Sequence, residues 1–240
     1  MPNNINNNLN NIKKRIEDAA LRAKRDPKTI RLIAVSKTVP LDLIREAVAA
    51  GHSLFGENYI QEARSKIESI GHNNISWHFL GHLQTNKAKY AVRLFDMIHS
   101  VDSINLAREL DKRAKKENRV LPILVQVNIA EEATKFGAAT DEVISLVRKI
   151  APLENLSVRG LMTMPPYFNE PEKVRPYFRE LKNLQARIQE EGIPAVRMEE
   201  LSMGMTGDFE TAIEEGATMV RIGTAIFGAR TCCLQKVGKR

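Results

Sequence analysis

The 240-residue chain is 43% hydrophobic and 27% charged, a composition typical of a globular protein with a full core. Its net charge of +7 is spread among interleaved acidic and basic residues, and aromatic residues make up only 5%, so a base-stacking nucleic-acid surface is not expected. No apolar run approaches the ~20 residues that a membrane span needs, so we expect no membrane partner.

The two ends of the sequence indicate a cytoplasmic location. The Asn-rich start, "MPNNINNNLNN", lacks the apolar core of a secretory signal. The two cysteines, Cys232 and Cys233, are adjacent and cannot join distant segments, so no disulfide framework is expected.

In chain order, a predicted helix over roughly residues 5–25 comes first. Residues at helical spacing, such as Leu41, Ile44 and Val48, then alternate with short apolar runs typical of buried strands. There are eight such runs, at residues 31–36, 52–57, 75–81, 95–102, 121–129, 156–163, 197–204 and 217–223.

This alternation of strands and helices predicts a parallel sheet in an α/β protein, and eight units in this length fit a TIM-like (β/α)8 barrel with an extra N-terminal helix. An open doubly wound sheet is the alternative. The turn after the first strand, "AVSKTVP", has no glycine, which argues against a Rossmann site. We expect a single domain over residues 1–230 and a C-terminal tail over residues 231–240.

Lys37 stands where the first predicted strand ends, the place where barrels carry their chemistry. A lysine partly buried there is a candidate nucleophile toward a carbonyl group. It is equally a candidate strand cap or a partner for Glu57, and the segment "AVSKT" alone does not choose between these roles.

Two glycine-containing turns, "SMGMTGD" and "RIGTAIFG", follow the seventh and eighth strands. Their backbone N–H groups and the Ser202 and Thr224 hydroxyls are candidates for holding a phosphate, although ordinary turn chemistry also uses such residues. A phosphate anchor facing a strand-end lysine suggests pyridoxal 5′-phosphate (PLP). Arg221 is either a plain ion-pair arginine or a donor that keeps the pyridine nitrogen unprotonated, which would limit carbanion chemistry.

The motifs "AVSKT", "FGENY", "WHFLGHLQTNK", "GLMTM", "ELSMGMTGDFETAI" and "VRIGTAIFG" run in order over nearly the whole chain. They resemble the pyridoxal-phosphate homeostasis protein family, which is related to the N-terminal barrel of alanine racemase, a fold type III PLP protein. The resemblance implies that Lys37 is the Schiff-base lysine and that Arg221 faces the pyridine nitrogen. It also implies phosphate contacts and cofactor-lining positions at Ser202, Gly223, Thr224, Asn58 and Met203.

The function that this resemblance implies is PLP binding for intracellular vitamin B6 homeostasis. The protein would buffer or deliver PLP, with PLP-dependent apo-enzymes and small amino acids as partners and indirect effects on amino-acid and keto-acid balance. The alternative is a fold type III racemase-like enzyme acting on small amino acids. Racemisation needs an acid–base group on each face of the substrate, and alanine racemase takes the second from an added β domain and across its dimer. Little sequence follows the eighth strand here, so we expect a monomer with weak or no racemase activity.

His78 and His82 are four residues apart, but a strand and Gly81 interrupt the helix that a metal motif of this spacing requires, so no metal site is expected. The segment from His82 to Lys87, with Gln84 and Asn86, is a candidate rim of the cofactor site or a partner surface. Core packing is expected for Trp77, Phe79 and Phe95. Tyr59, next to Asn58, is a candidate proton-transfer group, but core or rim packing is favoured for it.

Overall fold

The computed structural model describes residues 4–132 and 135–228. Its strands are β1 (Arg31–Val35), β2 (Leu54–Glu57), β3 (Ser76–Phe79), β4 (Met97–Val101), β5 (Leu121–Val127), β6 (Leu156–Thr163), β7 (Glu200–Ser202) and β8 (Met219–Ile222). Its α-helices are α1 (Ile5–Arg22), α2 (Leu41–Ala49), α3 (Ile60–Ile70), α4 (Ala88–Leu94), α5 (Ile104–Lys116), α6 (Val143–Ile150), α7 (Arg175–Glu190), α8 (Phe209–Glu214) and α9 (Thr224–Phe227).

The eight strands form a closed parallel barrel. Each strand pairs with the next one in sequence, and β8 returns to β1 with Val220 opposite Leu32. Helices follow the strands and cover the outside, so both faces of the sheet are buried. The predicted (β/α)8 barrel with a leading helix is therefore confirmed.

The inside of the barrel holds both apolar and polar side chains. Alternate residues of each strand point inward, and a small apolar cluster lies there, separate from the large core between strands and helices. Its buried members are Ile33, Leu80, Met97, Leu124, Met162 and Met219. At the next inward position along β4, β5 and β8 stand His99, Gln126 and Arg221, which are also buried.

Helix α1 packs across the barrel wall against α2, α8 and α9. Asn4 begins it, because its side chain accepts a hydrogen bond from the Asn7 N–H. The buried positions recur at helical spacing: Ile5, Leu9, Ile12, Ile16, Ala19 and Ala20. The helix ends earlier than predicted because the chain turns at Lys24, which has a φ of 55°.

Two elements differ from the sequence-based expectation. Helix α4 was not predicted, since it has only seven residues and its buried side chains are those of Ala88, Ala91 and Val92. Strand β7 spans three residues instead of eight.

Three features of the sequence analysis lie outside the described residues. They are the predicted domain boundary at residue 230, the tail at 231–240 and both cysteines. No helix in the described part of the chain is long and apolar enough to cross a membrane.

Candidate functional site

The carboxyl ends of the strands surround a cavity of about 250 Å³, called here the carboxyl-end cavity. Five of the seven predicted site residues line it: Lys37, Asn58, Arg221, Gly223 and Thr224. The other lining residues are Val35, Leu80, Met164, Tyr167, Phe168, Met205, Thr206, Gly207 and Asp208. The closed barrel thus brings together predicted site residues that are up to 187 positions apart in the chain, from Lys37 to Thr224.

Lys37 is half-buried, and the turn that carries it is held from both sides. The buried Ser36 donates its backbone N–H to Gly56 O and its hydroxyl to Glu57 Oε1, at 2.9 and 2.6 Å. On the other side, Thr38 adopts a left-handed φ of 60° and donates its N–H to Glu62 Oε1. A non-glycine residue in this conformation persists only where its surroundings hold it.

Beneath this turn, Lys66 of α3 joins the same network. Its Nζ donates to Ser36 O, Glu57 Oε1 and Glu62 Oε1 at 2.5, 2.8 and 2.5 Å. Burial raises the pKa of Glu57, and the Lys66 ammonium opposes that rise. Glu57, which the sequence suggested as a possible partner for Lys37, is thus bonded to Lys66 and Ser36, and the motif "FGENYIQEARSK" builds a support for the lysine turn.

Asn58 reaches the cavity because β2 and β3 end in close contact. A Cβ atom on Gly81 would lie 2.2 Å from the Asn58 carbonyl oxygen, so only glycine fits there. This contact explains why "GENY" and "FLGH" occur at the ends of adjacent strands.

The turns after β7 and β8 form the wall of the cavity that adjoins β1. The Thr206 and Thr224 hydroxyls lie 3.3 Å apart. Asp208 accepts a hydrogen bond from the Met205 N–H at 2.6 Å, and burial raises the pKa of its carboxyl group. Gly223 lies close to β1, since a Cβ there would be 3.2 Å from Val35 O. Two threonine hydroxyls and the backbone of Gly223 therefore line the same cavity as Lys37.

Arg221 is 4% exposed and is held by two hydrogen bonds. Its Nη1 donates to Ser202 Oγ at 2.7 Å and its Nη2 to Thr163 O at 2.8 Å. Burial lowers its pKa to about 10, so the guanidinium stays protonated at neutral pH. It presents only hydrogen-bond donors to the cavity.

Ser202 and Met203 are fully buried behind the cavity wall. The Ser202 hydroxyl lies between Arg221 and His99 Nδ1, the latter at 2.9 Å, and the Met203 N–H donates to Met219 O. Their suggested contacts with the cofactor stay predictions.

Sequence reasoning missed several lining residues and the buried pair His78 and His99. Thr206 and Asp208 lie within the quoted turn "SMGMTGD" and could have been proposed from it, whereas nothing distinguished Tyr167 and Phe168. His78 bonds to His99 inside the barrel at 2.9 Å. No motif signals this contact, because the two residues lie 21 positions apart on different strands.

The two histidines four residues apart have separate roles. His82 lies at the surface, where its ring stacks on that of Phe136 with centroids 3.8 Å apart. Its Nδ1 is 3.8 Å from Asp102 Oδ2. No cluster of three potential metal ligands occurs among the residues that the structure describes. The expected core packing of Trp77, Phe79 and Phe95 is confirmed, whereas Tyr59 is exposed and is not among the residues that line the cavity.

Comparison with known proteins places this geometry in a family. Residues 3–231 match the family model described as alanine racemase, N-terminal domain. The chain is 46% identical over 222 residues to the pyridoxal phosphate homeostasis protein of Aquifex aeolicus (strain VF5), covering 92% of this chain and 96% of the relative.

Solved structures agree with this relationship. PipY of Synechococcus elongatus PCC7942, with PLP bound, superposes with a TM-score of 0.78 at 38% identity, covering 90% of this chain and 100% of that one. Alanine racemase of Clostridium difficile 630 superposes with a TM-score of 0.71 at 15% identity, covering 95% of this chain and 57% of that one, which shows a shared fold. The chain therefore belongs to the pyridoxal phosphate homeostasis protein family, built on the alanine racemase N-terminal domain.

Proposed function

We propose that this chain binds PLP in the carboxyl-end cavity, through a Schiff base on Lys37, and holds the cofactor for PLP homeostasis. The observation that carries the proposal is the meeting of an amine, a buried guanidinium and two threonine hydroxyls around one cavity. The names of its relatives and the PLP bound to PipY independently support PLP binding and a role in PLP homeostasis.

The lining chemistry fits PLP group by group. The cofactor supplies an electrophilic aldehyde and an electron-withdrawing ring. Lys37 Nζ provides the amine that replaces the aldehyde oxygen, which leaves as water. The Thr206 and Thr224 hydroxyls suit a phosphate, and Leu80 and Met164 offer apolar walls for a planar ring.

Arg221 favours storage over catalysis. A protonated guanidinium cannot accept a proton, so a pyridine nitrogen facing it stays unprotonated. That arrangement weakens the ring as an electron sink and disfavours carbanion chemistry. A protein of this kind would hold PLP and release it to another amine, such as a small amino acid or the lysine of an apo-enzyme.

The rival function is an amino-acid racemase of fold type III. It needs an acid–base group on each face of the substrate carbon. Among the described residues that line the cavity, the ionisable side chains besides Lys37 are Tyr167, Asp208 and Arg221. Tyr167 is 81% exposed at the mouth, and Asp208 is bonded to the Met205 N–H. Lys37 is therefore better placed for acid–base work than any of the three. Because these described lining residues offer no equally well-placed second group, the site supports weak turnover at most.

Binding and turnover measurements separate the two functions. We expect wild-type protein to bind one PLP per chain and to lose it to added amino acids without converting L-alanine to D-alanine. Thr224→Val removes a cavity hydroxyl with little change in volume, so it should weaken binding of PLP but not of pyridoxal, which lacks the phosphate. Sustained racemisation by contaminant-free protein would assign the site to the rival enzyme, and equal losses for both ligands would remove Thr224 from the phosphate site.

A further inference from the structure

A line of four buried polar side chains crosses the inside of the barrel. It runs from Arg221 on β8 to Ser202 on β7, then to His99 on β4 and His78 on β3, with successive distances of 2.7, 2.9 and 2.9 Å. Each of the four residues is at most 4% exposed. Arg221 lines the carboxyl-end cavity, and none of the chemistry assigned there uses the two imidazoles.

The hydrogen bonds of this line have one direction. A guanidinium only donates, so Ser202 Oγ accepts from Arg221. Within the described residues Ser202 Oγ bonds to Arg221 and His99 alone, so its own hydrogen finds an acceptor only at His99 Nδ1. His99 then carries its proton on Nε2 and donates it to His78 Nδ1, which leaves the His78 proton on Nε2 as well.

The far end of the line opens to a second cavity at the amino-terminal mouth of the barrel, which His78 lines together with Arg31, Ser76 and Asp96. Burial lowers the pKa of His78 to about 3 and holds that of His99 well below its usual value, and the nearby Arg31 adds to both effects. Both imidazoles are therefore neutral at physiological pH. Neutral rings can act as one acceptor and one donor each, as the directed line requires.

We propose that His99, backed by His78, is a positioning residue for Arg221. Its Nδ1 accepts a hydrogen bond from the Ser202 hydroxyl, which turns the Ser202 lone pairs toward Nη1 and holds the guanidinium where it would face the pyridine nitrogen of bound PLP. The inference rests on the proposed function, since it requires PLP in the carboxyl-end cavity.

The cost of the arrangement indicates that it serves more than packing. A buried polar group is tolerated only when its hydrogen bonds are made, and apolar side chains already fill neighbouring inward positions at Met97, Leu124 and Met219. Without an acceptor at residue 99, the Ser202 hydrogen would have to turn toward another group. Ser202 Oγ could still accept from Nη1, but its orientation would no longer be fixed by His99, and of the two described guanidinium bonds only that of Nη2 to Thr163 O would be unaffected.

The test compares three variants with wild-type protein. His99→Leu removes both the acceptor and the donor, whereas His99→Gln keeps one of each on an amide. His52→Leu is the matched control. His52 is also a buried histidine, bonded to Leu54 O, but it does not touch the line.

Two readouts decide the matter. In cofactor-free protein, ¹⁵N NMR should show both His99 and His78 protonated on Nε2, and a single protected Arg221 guanidinium signal that is lost in His99→Leu and kept in His99→Gln. When PLP is added, His99→Leu should bind it about tenfold more weakly and shift the absorbance of the bound PLP. The reason is that the hydrogen bond from the charged Arg221 guanidinium to Ser202 is disturbed. His99→Gln and His52→Leu should stay near wild type.

A wild-type His99 protonated on Nδ1 would overturn the proposal. So would a His99→Leu protein that matches His52→Leu in the Arg221 signal and in PLP affinity. If wild-type protein bound no PLP, the proposed function would fail, whereas the NMR comparison would still show whether His99 orders Arg221. If His99→Leu does not fold, the wild-type tautomers and the His99→Gln spectra still decide.

Discussion

Lys66 Nζ lies 2.8 Å from Glu57 Oε1, and both side chains are buried directly beneath the turn that carries Lys37. Moving two charges out of water costs free energy that the pair recovers only through good geometry. Here the same ammonium also bonds to Ser36 O, and Glu57 bonds to the Ser36 hydroxyl. The ion pair therefore holds the backbone that carries Lys37, the lysine proposed to bind PLP.

Removing the Lys66 ammonium should leave the buried Glu57 carboxylate without its ion-pair partner. We expect Lys66→Met to lower the free energy of unfolding by about 3–5 kcal/mol, as for other broken buried pairs. Arg64→Met is the matched control on the same helix, because its partner Glu68 is exposed and such pairs contribute about 1 kcal/mol or less. Urea unfolding measures both, and equal losses in the two variants would show that the buried Lys66 pair contributes no more stability than an exposed pair.

The stability of the protein should fall in mild acid because of its buried histidines. Burial lowers the pKa of His52 from 6.5 to about 4, so below pH 6.5 the unfolded chain binds more protons than the folded one. Stability contributed by the neutral imidazole is therefore present above pH 6.5 and is lost as pH falls toward 4, by about 3 kcal/mol in all.

Unfolding curves between pH 7 and pH 4 check this expectation. His52→Leu should flatten part of the pH dependence, whereas the exposed His72→Gln should follow wild type. A His52→Leu profile parallel to wild type would show that this imidazole does not contribute to acid sensitivity.

Gly160 sets the spacing of β6 and β7. Its φ is 156°, and a Cβ there would lie 1.9 Å from Glu200 O on the neighbouring strand. Gly160→Ala should therefore destabilise the barrel by roughly 3 kcal/mol or more, since the clash is with backbone. Gly192 also has a positive φ but open space around it, so Gly192→Ala should cost only about 1 kcal/mol. Thermal unfolding of the two variants compares them, and similar melting temperatures would contradict the close approach.

Most of the fold could be predicted because its signals are local. Each strand is a short apolar run bounded by turn residues, and strict alternation with helices leaves few topologies. Helix α4 was missed because alanine at its buried positions gives a weak apolar period. The shortness of β7 was missed because residues 197–199 resemble a strand in composition, and Arg197 and Glu199 do bond to β6, without strand geometry.

The candidate site was predictable only where its residues belong to a motif. Lys37, Asn58 and Thr224 stand in quoted motifs at strand ends, and all three line the cavity. The line from Arg221 to His78 depends on which side chains point inward and on how the closed barrel staggers its strands. Those are properties of the whole sheet, so a reading of one strand at a time does not find them.

The most direct test of PLP binding on Lys37 is to reduce the PLP-loaded protein with borohydride and map the modified peptide. We predict that the label lies on Lys37 and that Lys37→Ala loses both the label and the absorbance band at about 420 nm. A label on a different lysine, or a band that survives in Lys37→Ala, would contradict the account.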